Sequence, residues 1–306
     1  MTTLVEDQLD FFQQNGYLIL ENLFSPEEVA GLQKEADYLL ELMLNSSLMH
    51  DRLSGRLDWR RTSQGVQMVR KIQPINDLSL AFTRAIEDER IVQPLRQIMG
   101  DEPVLIEEKL NGKQPLSEEV EGLPIRPLDD AFPVHNDWAY YAAQDYPQTV
   151  ISSALLLDDC TMENGPLRVW PGSHKQHLEH ERMDNGLQVL PHLIDHDAGV
   201  DMLAPAGSFM IFHVLAVHNS RANVSGRPRR LMIYSHCPES AGMPLDIRNG
   251  PARLREAPYE REYMRAVQRG DFQDVFTAPT YLLDGKDEDR CNDQALGAGR
   301  DYLPDA

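Results

Sequence analysis

Between residues 103 and 237 the chain is a succession of short apolar runs cut by Gly, Pro, Asn and Asp, and this constrains the fold more than any other feature. The runs are 104–106, 150–157, 167–170, 209–212 and 231–234. Runs this short, separated by turn formers, suit antiparallel strands that stack into an all-β sandwich or barrel. The region before them reads differently. Residues 6–15 place Leu9 and Phe12 at helical spacing ahead of Gly16, and Tyr17–Leu20 reads as a short strand. Ser25-Pro26-Glu27-Glu28 combines an N-cap serine, a first-turn proline and a glutamate three residues on, which predicts a helix that turns Val29, Leu32, Ala36 and Leu39 inward. One further helix is expected over 77–99, stopping before Gly100, and another over 258–269 in the charged, turn-rich end.

Length and charge narrow the functions. The 306 residues carry 29 basic and 49 acidic side chains, a formal net charge of -20, which argues against a phosphate-backbone partner because such binding relies on Lys and Arg. No stretch reaches the roughly 18 consecutive apolar residues of a membrane-spanning helix, and the first residues lack a basic region followed by an apolar run. Cys160, Cys237 and Cys291 are an odd number at wide spacing, so neither a disulfide framework nor a thiolate zinc site is indicated. These features together predict a cytoplasmic protein with no nucleic-acid or membrane partner; the small-molecule substrate expected of it is implied by the resemblance described below. Oligomeric state is not legible.

The chemistry concentrates in His135-Asn136-Asp137, with His218 and Arg229 downstream. Two imidazoles and one carboxylate can occupy one face of an octahedral metal and leave three positions open, the donor set of non-haem Fe(II) oxygenases. On an extended segment residues two apart share a side, which would let His135 and Asp137 reach one ion. His177-x-Glu179 has the same form but lies in a polar stretch and reads as loop. His213, five residues before His218, reads as a structural histidine on the opposite face of one strand, and Trp170 reads as core.

Four blocks carry a resemblance to a known family. They are Phe11 through Val29; Glu108-Lys109-Leu110-Asn111-Gly112-Lys113 ahead of Pro133-Val134-His135-Asn136-Asp137-Trp138; Glu163-Asn164-Gly165-Pro166 through Lys175; and His218-Asn219-Ser220 through Asn223 to Arg229. In this order the chain resembles the phytanoyl-CoA dioxygenase (PhyH-like) family of Fe(II)- and 2-oxoglutarate-dependent oxygenases. The resemblance implies a mainly β fold, a double-stranded β-helix (jelly-roll, cupin-like) core with flanking N-terminal helices. It implies one dioxygenase domain over 1–306, with a helical N-terminal part at 1–102, the core at 103–237 and a C-terminal extension or lid at 238–306.

The same resemblance implies that His135, Asp137 and His218 ligate Fe(II), that Arg229 grips the distal carboxylate of 2-oxoglutarate, and that Asn111 and Lys113 also face the cosubstrate. A guanidinium suits that task because it pairs with a carboxylate bidentately. Arg230, the next residue, would face the other way on a strand. Arg70, Trp138 and Tyr140 are candidates for substrate contact. The implied reaction uses O2 to couple oxidation of a C–H bond, most simply hydroxylation, to release of succinate and CO2. Asp137 disfavours halogenation, because related halogenases lack this carboxylate; desaturation, cyclisation and demethylation stay open. Specialised metabolism is the expected setting. Two alternatives remain: another metal-dependent cupin-like enzyme, an isomerase or hydrolase, and a non-catalytic binding homologue.

Overall fold

The computed structural model describes residues 3–49, 57–61, 67–75, 78–113, 132–142, 145–183 and 186–242. The helix expected over 258–269 and all but residues 238–242 of the expected C-terminal extension or lid lie outside the described residues, as does the side chain of Arg70.

Helix α1 (Glu6–Asn15) ends on Gly16, whose left-handed φ of 80° lets its N–H reach Phe12 O. No side chain fits at Gly16: an added Cβ would lie 2.3 Å from His174 Nδ1. This close approach ties the first sequence block to the third. After β1 (Tyr17–Leu20), α2 (Pro26–Met49) opens on the expected capping box, with Ser25 Oγ accepting from Glu28 N and Glu28 Oε2 accepting from Ser25 N. Val29, Leu32, Ala36 and Leu39 are buried as expected.

Two strands, β2 (Leu57–Arg61) and β3 (Gln67–Ile72), then precede the next helical region. There the structure departs from the single helix expected over 77–99. It forms α3 (Leu80–Ile86) and α4 (Glu89–Met99), because Asp88 leaves the helical conformation and its carboxylate caps α4 by accepting from Arg90 N. The N-terminal part is therefore not helical throughout, since three of its segments are strands.

The remaining strands are β4 (Pro103–Lys113), β5 (Phe132–His135), β6 (Ile151–Leu156), β7 (Leu167–Val169), β8 (His180–Met183), β9 (Gly186–Val189), β10 (Val200–Asp201), β11 (Phe209–His213), β12 (His218–Ser220) and β13 (Arg229–Pro238), with a one-turn helix α5 (Trp138–Tyr141) after β5. A seven-stranded antiparallel sheet runs β1-β11-β6-β13-β4-β3-β2, and a four-stranded sheet runs β10-β7-β12-β5. Two apolar layers explain the burial. Ala154, Leu156, Met210, Phe212 and Leu231 of the large sheet pack with Leu167 and Val169 of the small one, which closes the jelly-roll. On the other face of the large sheet, Leu155, Phe209, Met232 and Tyr234 pack with Val29, Leu39, Phe82 and Leu95 of the helices. Covered on both sides, β6 is buried at every position, which is why its sequence shows no alternation of apolar and polar residues. Burying one such leucine is worth about 1.5–3 kcal/mol.

Candidate metal centre and its surroundings

His135, the last residue of β5, pairs in register with His218, the first of β12, and their ring centroids lie 4.5 Å apart. Asp137 reaches the same point by a route the sequence pattern does not show. The strand ends at His135, and Asp137 adopts a helical conformation (φ -65°, ψ -29°) at the start of α5. A turn, not pleat alternation, brings the carboxylate round, with Oδ1 at 3.6 Å from Nε2 of both histidines. The ligand atoms of the three residues all lie within 4.8 Å of one another, and among the described residues this is the one such group of His, Cys, Asp and Glu.

The surroundings fix which atoms face the common point. His135 Nδ1 donates to Pro133 O at 2.7 Å and His218 Nδ1 to Ala216 O at 3.0 Å. A carbonyl can only accept, so Nδ1 carries the proton in both rings and each Nε2 presents its lone pair toward Asp137. Ser152 Oγ donates to Asp137 Oδ2 at 2.6 Å, which orients the carboxylate. Burial alone would raise the pKa of Asp137. The positive charge that His218 and His135 can carry and the charge of Lys109 outweigh it and hold the carboxyl well below the usual range. Burial pushes His218 down to about 4, with Asp137 acting in the opposite direction. Neutral His218 and ionised Asp137 are the states that bind a divalent metal, so the residues fit the ion that the donor set implies.

Asn136, between the two ligands and fully buried, is turned away from them. Its Oδ1 accepts from Ala139 N, its Nδ2 contacts His177 Nδ1 at 3.2 Å, and its backbone N–H donates to His180 Nε2. His177 and His180 stack with centroids 5.2 Å apart. His177 therefore stands behind the metal ligands as packing and is not paired with Glu179 in a metal cluster. His213 differs from expectation in one respect: it ends β11, whereas His218 opens a separate strand, so no shared alternation relates the two. Trp170 is buried, as expected for core.

Facing the metal point are β4 and β13, whose antiparallel register pairs Lys113 with Arg229, Asn111 with Leu231, Lys109 with Ile233 and Glu107 with Ser235. Arg229 is buried and approaches Cys160 Sγ at 3.8 Å, while Arg230 faces outward to Asp158 and Asp37, as strand alternation requires. Lys113 is buried, and its Nζ donates to Ser220 Oγ, two residues past His218. Gly165 makes room for this lysine. Its φ is +77°, and an added Cβ would meet Arg221 O at 2.5 Å and Lys113 Cε at 2.7 Å. Asn223 supports the same strand end by donating to Lys113 O and Arg227 O. Asn111, on the same face, is half-buried, and its Oδ1 has no hydrogen-bond partner among the described residues.

The candidates for substrate contact separate. Trp138 donates from Nε1 to Tyr146 O, packs on Tyr141 and Tyr146, and meets His177 edge-on, so it is tied into packing. Tyr140 lies edge-on to His135 and accepts from Leu187 N at its hydroxyl, with burial pushing its pKa up to about 12. The sequence pattern does not flag Ser152, Ser220 or the pair Glu107 and Lys109. One signal for the first was available: Ser152-Ser153 interrupts an apolar run that would otherwise be continuous.

A jelly-roll that gathers two histidines and an aspartate opposite a buried arginine defines the class of mononuclear non-haem iron oxygenases. Residues 12–231 match the phytanoyl-CoA dioxygenase (PhyH) family, and the chain belongs to it. Ectoine dioxygenase of Bordetella bronchiseptica is 28% identical over 252 residues, covering 76% of this chain and 75% of its own length. Phytanoyl-CoA dioxygenase of Arabidopsis thaliana is 27% identical over 275 residues, covering 78% and 90%. The crystal structure of EctD from S. alaskensis with 2-oxoglutarate and 5-hydroxyectoine matches with a TM-score of 0.60 at 25% identity, covering 78% of this chain and 77% of that one.

Proposed function

We propose that the protein is an Fe(II)- and 2-oxoglutarate-dependent dioxygenase that hydroxylates a C–H bond of a small-molecule metabolite and releases succinate and CO2. The observation that carries this reading is the convergence of His135, Asp137 and His218 on one point, with buried Arg229 on the facing sheet. In this reading the triad holds the iron through two Nε2 atoms and a carboxylate oxygen. Arg229 and Lys113, the latter steadied by Ser220, take the distal carboxylate of 2-oxoglutarate, and Asn111 borders it. When bound, iron with the oxoacid and O2 supplies the oxidising power; the chain orients the reactants and excludes water. Residues 1–306 act as one dioxygenase domain in specialised metabolism. Free, buried Cys160 and Cys237 support a reducing compartment such as the cytoplasm, and no helix among the described residues is long and apolar enough to cross a membrane.

The test is Fe(II)-dependent conversion of 2-oxoglutarate to succinate without added substrate, alongside the visible absorption band of the anaerobic Fe(II)–2-oxoglutarate complex. Both are expected in the parent and lost in His135→Ala and Asp137→Ala. Succinate formation that persists in either variant refutes the assignment.

A further inference from the structure

We propose that Lys109 anchors the substrate, and that the substrate presents a carboxylate to it; this rests on the oxygenase reading above. Cross-strand partners lie on one face of a sheet, so Glu107, Lys109, Asn111 and Lys113 share the face of Ser235, Ile233, Leu231 and Arg229. Leu231 packs with Leu167 and Val169 of the small sheet, which sets this row inside the barrel. Successive members of the row are about 7 Å apart along the strand.

The row has two ends with different neighbours. Lys113 lies beside Arg229 and bonds Ser220, so this end accounts for one dicarboxylate. Two steps along, Lys109 sits opposite Ile233, which pairs with Ala154 on β6. The next rung pairs Glu107, Ser235 and Ser152, and Ser152 is the residue bonded to Asp137. Lys109 is thus one rung from the anchor of the metal-site carboxylate, near enough for its charge to act on both Asp137 and His218.

Its own contacts leave donor capacity. Its Nζ forms an ion pair with Glu107 Oε1 at 3.5 Å, the outer limit for a hydrogen bond. Glu107 is already occupied: Oε1 accepts from Gln73 Nε2 at 2.6 Å, and Oε2 accepts from the Tyr141 hydroxyl, whose oxygen in turn accepts from Ser235 Oγ. An ammonium has three donors, and the Lys109 side chain keeps 20% exposure. With a formal net charge of -20 the chain as a whole does not draw in anions, so a cation set inside the barrel selects locally for a carboxylate. A purely structural lysine serving Glu107 predicts something else: its loss would lower stability and affect charged and neutral compounds alike.

The experiment uses the anaerobic Fe(II)–2-oxoglutarate complex and reads the shift of its visible band. The probes are N-acetyl amino acids, hydroxybenzoates and short aliphatic acids, each paired with its primary amide. A hydrogen bond between charged partners corresponds to about 10- to 100-fold in affinity. The parent is expected to bind its best carboxylate at least about tenfold more tightly than the matching amide, with the ratio collapsing to within about twofold in Lys109→Met and Lys109→Gln and returning in Lys109→Arg. Equal binding of acid and amide by the parent, a preference that survives in both neutral variants, or a parent band that no carboxylate moves overturns the proposal. If the parent forms no band with Fe(II) and 2-oxoglutarate, the oxygenase reading fails and this inference falls with it.

Discussion

Replacing Ser152 by alanine tests the metal centre without touching a ligand. The hydroxyl is fully buried and donates to Asp137 Oδ2 at 2.6 Å, the length of an O–H···O⁻ bond to an ionised acceptor. Hydrogen bonds to charged groups contribute about 1.5–3 kcal/mol, which at about 1.4 kcal/mol per decade is roughly 10- to 100-fold in Fe(II) affinity. Loss of one oxygen atom's volume leaves too small a void to add much. Ser153 is the matched control. It is equally buried, faces the opposite side of β6, and its Oγ has no hydrogen-bond partner among the described residues. Ser153→Ala should leave iron affinity within about twofold and hold or raise stability by up to about 1 kcal/mol, since a buried hydroxyl without a partner carries a desolvation cost. The assay is anaerobic Fe(II) competition against a chromophoric chelator, with urea unfolding of both variants. Should Ser152→Ala bind iron as tightly as the parent, or Ser153→Ala lose as much, the outer contact to Asp137 is not what orients the carboxylate.

Arg229→Ala should raise the KM for 2-oxoglutarate by about 10- to 100-fold in succinate assays, whereas Arg230→Ala, on the other face with Asp158 and Asp37, should leave it unchanged within about twofold; equal effects refute the facing argument. Gly165→Ala forces a side chain into a φ of +77°, worth about 1–2 kcal/mol, and against Lys113, so Tm and 2-oxoglutarate affinity should fall together; an unchanged Tm contradicts the clash. Burial pushes His236 down to about 3, below its unfolded value, so the folded state binds fewer protons than the unfolded one. Its contribution is complete above about pH 6.5 and is lost as pH falls toward 3, at up to about 1.4 kcal/mol per unit. Urea unfolding between pH 7 and 4.5 should show a shallower pH dependence in His236→Met, and parallel curves would exclude the effect.

Much of the fold was legible because local signals and burial agreed. The capping box at Ser25, the glycine stop at Gly16 and the short apolar runs of the core each formed the expected element. The break between α3 and α4 was not read, since apolar spacing continues across it and the decisive event is one aspartate leaving the helical conformation. The candidate metal residues were legible as a motif, and the fold brings their ligand atoms within 4.8 Å of one another, but the route of Asp137 was not legible: an H-x-D pattern is the same on a strand or at a strand-to-helix turn. The outer contacts were hardest. Ser152, Ser220 and Glu107 acquire meaning through partners more than 14 residues away, and no local pattern encodes such pairings.

The proposed iron ligands hang from the small wall of the barrel and from the turn beside it, while Arg229, Lys113 and Lys109 project from the large one. Iron with its oxoacid would therefore span both walls as a clasp. Loading it should raise resistance to unfolding by mass action, and most sharply where the two sheets meet. The arrangement also lets the row on β4 drift toward new substrates while the iron-holding wall stays as it is.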